Sequence, residues 1–221
     1  MFENRKMAGV MLGKKLKKLK DEGKIIDPVV VALPRGGIPV GLEISKILKA
    51  PLDILFVKKI PAPGNDELAI GSVSENGMVF VNKDLMLRTG ANEEYIREKG
   101  IEKIQEMARM RDKYKFEPIL LEDKDVILVD DGIATGASMY LAAQSIVRDK
   151  PRNVIIASPV APNDENVLQM LRNVSHHLEI LLLPDMFMSV GKWYEDFHQL
   201  NDEEIKAILE EAEMLRNDVK N

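Results

Sequence analysis

Apolar positions along this chain follow two alternating patterns. Five short runs rich in branched aliphatic residues lie at 28–33 (PVVVAL), 52–57, 126–129, 153–157 and 179–183. Continuous runs of this length, bounded by Pro, Gly or Asp, read as strands buried on both faces of a parallel sheet. Between them, three-and-four spacing predicts helices. The first covers 8–19 with Leu12, Leu16 and Leu19 as its stripe, and the second 40–48 with Val40, Ile44, Ile47 and Leu48 on one face. Asn92 caps a long charged helix reaching about Tyr114, with Gly100 as a candidate interruption; further helices follow the 130–136 loop, to about Asp149, and cover 164–173. Asn201 opens the last helix, Glu204 three residues later completes a capping box, and Ile205, Ile208, Leu209, Ala212 and Leu215 form its stripe. A hairpin is expected from 69–73 and 78–81 around Glu75-Asn76-Gly77, and a flexible loop from 58–68.

Strands alternating with helices predict an α/β fold, a parallel sheet flanked by helices and joined by right-handed crossovers. In such sheets ligands bind beyond the carboxyl ends of the strands. Two loops therefore carry the interest, one after Leu33 and one after Val129.

Composition narrows the classes without changing this picture. The 221 residues suit one domain, and the net charge of −5 gives no basic face for nucleic acid. Residues 201–221 hold seven acids and three bases, so the rest of the chain is nearly neutral. A lysine-rich helix face (Lys14, Lys15, Lys17, Lys18, Lys20) reads either as a solvated surface or as a membrane- or RNA-facing one. The absence of cysteine excludes disulfides, thiolate chemistry and Cys-ligated zinc, and His176, His177 and His198 lack the spacing of a helical metal pair. No apolar run is long enough to span a bilayer and the start is polar, so a cytoplasmic protein without membrane or nucleic-acid partners is expected.

The loop after the third strand reads Val-Asp-Asp-Gly-Ile-Ala-Thr-Gly-Ala-Ser over 129–138. Two carboxylates, Asp130 and Asp131, stand at the strand end, where they can accept hydrogen bonds from the vicinal hydroxyls of a sugar. The small residues Ala134, Thr135, Gly136, Ala137 and Ser138 then lead into a helix whose free N–H groups and dipole favour an anion. Each of these residues alone would suit an ordinary capped turn; the ordered set points to a sugar phosphate. Pro34-Arg35-Gly36-Gly37, after the first strand, is either a plain turn or a second anion loop, with Arg35 as a fork of donors and the glycines exposing backbone amides. Lys58 and Lys59 are either a solvated strand end or cations for a leaving anion, and Glu67 is a helper or a solvated acid.

This constellation resembles the type I phosphoribosyltransferase family, whose substrate is 5-phosphoribosyl-1-pyrophosphate (PRPP). The resemblance spans most of the chain and rests on Asn4-Arg5 to Gly9, PRGGIPVG (34–41), APGNDELAIG (62–71), DDGIATGASM (130–139) and GKWYEDF (191–197). It implies a Rossmann-like core, about 25–183 of a single domain, with a small hood from 1–24 and 184–221. By the same resemblance Asp130 and Asp131 hold the ribose, and residues 134–138 wrap the 5′-phosphate. Arg35, Gly36 and Gly37 grip pyrophosphate, Lys58 and Lys59 neutralise it, and Mg²⁺ serves as cofactor. Trp193 either stacks on the base or packs the last helix onto the core. The long helix from Asn92 departs from compact members, and the hood lacks base-reading motifs, so the base stays open. The implied reaction is transfer of the phosphoribosyl group to a nitrogenous acceptor, in nucleotide metabolism. The alternatives are a PRPP-binding regulator without catalysis, a PRPP-making kinase (no P-loop is present) and a nucleotide hydrolase. A homo-oligomer is expected on base rates alone.

Overall fold

The computed structural model describes residues 1–220, with side chains described through Asn217. The elements, in order, are α1 (Arg5–Asp21), β1 (Pro28–Ala32), α2 (Gly37–Leu48), β2 (Leu52–Ile54), β3 (Val57–Ala62), β4 (Asn65–Ser74) and β5 (Val79–Val81). Then come α3 (Lys83–Arg88), α4 (Glu93–Tyr114), β6 (Asp125–Val129), α5 (Ala137–Ile146), β7 (Asn153–Val160), α6 (Glu165–Arg172), β8 (His177–Leu182) and α7 (Asp202–Lys220).

Five strands form one parallel sheet in the order β2-β1-β6-β7-β8. The period-two geometry of a strand sends alternate side chains to opposite faces, and the core divides accordingly. Val30, Ala32, Ile127 and Val129 join Leu12, Leu16, Ile44, Ile205 and Leu209 on the face covered by α1, α2 and α7. Val29, Val31, Val126 and Leu128 join Met139, Ala142, Ile146 and Leu171 under α5 and α6. β1 connects outward to β2 on one side and β6 connects outward to β7 on the other. The sheet order thus reverses between β1 and β6, and a crevice opens there between diverging loops.

Three expectations change in the structure. The loop expected at 58–68 is a β-hairpin: β3, β4 and β5 form a separate antiparallel sheet, with Gly64 in the left-handed region at the hairpin tip. The expected strand at 52–57 breaks after Ile54, because the chain leaves the parallel sheet to enter that second one. Gly100 does not interrupt α4, where it is buried in mid-helix. The terminal segments assigned to a hood divide as well. α1 and α7 sit in the helical layer of the main core, where Gly9 lets α1 approach the Val40 backbone of α2. The parts that lie over the strand ends are the first four residues and about 184–200, joined by a bridge between Phe2 and Tyr194.

Buried charge holds the sheet edge at β2. Arg111 of α4 donates to the Ile54 carbonyl and to both Glu75 oxygens, and Arg216 of α7 donates to the Leu52 carbonyl. Both lie near the buried Asp53 carboxylate, which also accepts from the Ile119 amide at 2.7 Å. Every charge in this set is compensated, as burial requires.

Candidate active site

The carboxyl ends of β1 and β6 bring the two loops face to face. Gly36 is pressed so closely against the second loop that a Cβ there would stand 2.0 Å from Asp131 Oδ2. A side chain at Gly37 would meet the Val129 carbonyl at 2.6 Å. The Pro34–Arg35 peptide is cis. The Gly37 amide donates to the Leu33 carbonyl at 3.0 Å, so that N–H turns back into the loop and not toward a ligand.

Asp130 and Asp131 follow β6 as adjacent carboxyls. The Asp131 amide donates to Asp130 Oδ1 at 2.8 Å. Burial, with the charge of Asp131 next, pushes the Asp130 carboxyl well above the ordinary carboxylate range. Burial raises Asp131 too, opposed by the guanidinium of Arg5. The pair therefore binds protons more readily than two solvated acids, and a ligand that donates hydrogen bonds to it relieves that cost.

Beyond the acids the chain turns through Gly136, whose φ of 76° lies in the left-handed region. α5 starts there, and its first turn lines a cavity of about 150 Å³. Lys59, Asp130 and residues 132–139 line it. Thr135 is exposed and Ser138 half-buried at its mouth. This cradle has the parts of a phosphate site: outward N–H groups, a helix dipole worth about 0.3–1 kcal/mol, hydroxyls and a lysine.

The structure thus brings together Asp130, Asp131, Gly36, Lys59 and residues 134–138. It does not bring in two of the expected cations. Arg35 donates to the Leu200 carbonyl and to Asp202 Oδ1, both at 2.9 Å, which turns its guanidinium toward the start of α7. Lys58 pairs with Glu106 of α4 at 2.8 Å. Lys58 and Lys59 are adjacent on β3, so their side chains point to opposite faces of the hairpin, and only Lys59 faces the cavity. Trp193 packs in a cluster with Phe2, Ala8, Val160 and Tyr194 and not against α7, and its indole nitrogen is buried without a hydrogen-bond partner among the described residues. Glu67 is exposed on the hairpin.

Two residues at the acid pair were not singled out from sequence for this role. Arg5 donates from Nε to Asp131 Oδ2 at 2.7 Å. Tyr194 donates from its hydroxyl to the Asp131 carbonyl at 2.5 Å, and burial raises its pKa. Arg5 is far from Asp131 in sequence and precedes the helix expected at 8–19; only its place in the matched Asn4-Arg5 to Gly9 segment could have flagged it. A second cavity of about 360 Å³, lined by Arg5, Pro39, Asp196, His198, Leu200 and Ile208 among others, opens beside them.

A five-stranded parallel sheet with a reversal point, an acid pair and a helix-start cavity at that point, and a small cap above define the class: an α/β protein whose candidate ligand site lies at the strand ends. The comparisons narrow this to a family. Residues 6–170 match the phosphoribosyl transferase domain, and the chain belongs to that family. Two proteins of Mycobacterium tuberculosis (strains CDC 1551 and H37Rv), each provisionally named a phosphoribosyl transferase, are 33% identical over 96% of this chain. The chain spans about half the length of these curated relatives, covering 47% of each. The crystal structure of TT1426 from Thermus thermophilus is similar along nearly the whole of both chains: 34% identity, 96% of this chain, 98% of that one, TM-score 0.78. No helix among the described residues is long and apolar enough to cross a membrane.

Proposed function

We propose that the protein transfers the 5-phosphoribosyl group of PRPP to a nitrogenous acceptor, a nucleobase by preference, and releases pyrophosphate. The observation that carries this reading is the acid pair placed directly beside the α5 cradle. That spacing suits one ligand with vicinal hydroxyls at one end and a phosphate at the other. Asp130 and Asp131 accept from the ribose hydroxyls; the amides of α5 and the hydroxyls of Thr135 and Ser138 hold the 5′-phosphate. Gly36 keeps the neighbouring loop close enough for the pyrophosphate to rest against it. Lys59, held on the antiparallel arm across the cavity, faces the charge that develops as pyrophosphate leaves.

The acceptor nitrogen attacks the anomeric carbon as the bond to pyrophosphate breaks, so one C–N bond forms, one C–O bond is lost and the configuration inverts. No nucleophilic side chain is required, and the chain contributes position and charge. Mg²⁺ is part of the proposal. No group of three or more His, Asp or Glu among the described residues is placed to hold such an ion. The proposal therefore has the cation bound mainly by substrate oxygens and water, the habit of Mg²⁺. When bound it would offset the negative charge of the pyrophosphate.

The test is titration calorimetry with PRPP and Mg²⁺, wild type beside Asp131→Asn, followed by a screen of bases for pyrophosphate release. Binding that the substitution abolishes, with release for one base class, is the expected result. Binding with no release for any base would favour a PRPP-responsive regulator. No binding in the presence of mixed bases would remove the reading.

A further inference from the structure

We propose that Arg5 is the positioning residue for Asp131: its guanidinium fork fixes the carboxylate in the orientation that receives a ribose hydroxyl. This rests on the reading of Asp131 as a ribose ligand. The fork is held from three sides. Nε donates to Asp131 Oδ2 at 2.7 Å, a terminal nitrogen donates to the His198 carbonyl at 3.0 Å, and the guanidinium carbon lies 3.9 Å from the centre of the Phe197 ring. Both members of the ion pair are largely buried, with side-chain exposures of 10% and 13%. An exposed surface pair would contribute little, whereas a desolvated, planar guanidinium held by two hydrogen bonds and a ring face restricts the rotation of its partner.

Besides Arg5, the Asp131 carboxyl meets the Asp130 carboxyl and the Gly36 backbone, neither of which is a cation. Gly36 offers no side chain on one side, and the Tyr194 hydroxyl binds the Asp131 main-chain carbonyl, not its carboxylate. The ionisable groups facing Asp131 are Asp130 from the end of β6, Arg5 from α1 and Tyr194 from the cap. Lys59 lies across the cavity, on the Asp130 side. Arg5 is thus the cation among these neighbours that touches the Asp131 carboxylate. A carboxylate has room for about four hydrogen bonds, so the Arg5 bond leaves capacity for a ligand hydroxyl. Arg5 also carries the link outward: the Phe197 and Tyr194 rings pack tilted at 5.1 Å and those of Tyr194 and Phe2 at 5.4 Å, so the cap and the acid pair share one contact set.

The experiment measures PRPP–Mg²⁺ binding by calorimetry across a pH series for wild type, Arg5→Gln and Arg5→Lys, with melting curves for each. Arg5→Gln is expected to weaken binding about tenfold or more and to move the acid limb of the pH profile upward. Arg5→Lys restores the charge but not the planar fork, so the acid limb returns while the affinity stays between the other two. Wild-type affinity and pH profile in Arg5→Gln would overturn the proposal. Should Arg5→Gln not fold, wild-type affinity in Arg5→Lys would do the same. If the wild type binds no PRPP, the functional reading fails separately, and carboxyl NMR decides this one. An Asp131 titration raised by Arg5→Gln and brought back by Arg5→Lys supports the positioning role; a titration unchanged by Arg5→Gln ends it.

Discussion

At the scale of single residues, the acids after β6 set a conflict between stability and function. Asp130 is buried beside Asp131, and its pKa in the folded protein lies above the unfolded value of about 3.9. With the folded pKa raised, the folded state holds the proton more tightly, so stability declines as pH rises from the unfolded value through the folded one. Asp130→Asn keeps the oxygen that accepts from the Asp131 amide and removes the titration. The variant is expected to melt above the wild type at neutral pH, with the gap closing as pH falls toward 4, while PRPP binding is lost. Melting curves over a pH series check the first part and calorimetry the second. A neutral-pH melting point below wild type would show that the ionised carboxyl makes favourable bonds that outweigh its burial. Lys59→Ala is expected to lower the rate of pyrophosphate release more than the affinity for PRPP, since its charge matters most as the leaving group departs. Lys58→Ala, whose amine belongs to Glu106, is expected to change neither by more than about twofold. Steady-state kinetics on the pair of variants separates the two lysines.

At the scale of elements, the starts of α1, α2 and α7 meet at the carboxyl end of the sheet. Asn4 caps α1 by accepting from the Met7 amide, and Asn201 caps α7 through a reciprocal box: the Glu204 amide donates to Asn201 Oδ1 at 2.9 Å and the Asn201 amide to Glu204 Oε2 at 2.8 Å. The capping box at α7 was legible in the sequence because it depends only on residue types three apart. Its consequence was not: the cap places Asp202, and Asp202 turns the Arg35 guanidinium toward the start of α7. Lys113 of α4 also pairs with Asp202, so three elements share that carboxylate. Asn201→Ala is expected to cost about 1 kcal/mol, or roughly 2–4 °C in Tm. The measurement is thermal melting by circular dichroism; an unchanged Tm would mean that neighbouring contacts already hold the helix start. The antiparallel arm is the element sequence reading handled least well. Pro61, Pro63 and Gly64 suggested a loop, yet β3 and β4 pair around them with register shifts at Ile60–Pro61 and Pro61–Ala62. Proline is tolerated there because the irregularity removes the need for its missing amide.

At the scale of the whole molecule, the fold places two diverging crossovers side by side, and the proposed site is the crevice between them. Both faces of the sheet are covered, so the ligand must enter at the strand ends. A ligand that binds only the folded state stabilises all of it. PRPP with Mg²⁺ at about a hundredfold over Kd is therefore expected to add roughly 2.7 kcal/mol, read as a rise in Tm that Asp131→Asn does not show. A rise of equal size in the variant would place PRPP elsewhere on the protein.

The sequence by itself determined the alternation of strands and helices, the parallel sheet and the position of the acid pair and its cradle. These follow from short-range physics: side-chain periodicity, helix-start chemistry, and small residues where backbone must approach. What only the tertiary structure decided were the partners of long charged side chains. Arg5, Arg35, Lys58 and Lys59 carry flexible stems, and their neighbours come from segments distant in sequence. Arg5 therefore joined the acids, Arg35 and Lys58 turned away to Asp202 and Glu106, and Lys59 alone of the expected cations stayed at the cavity.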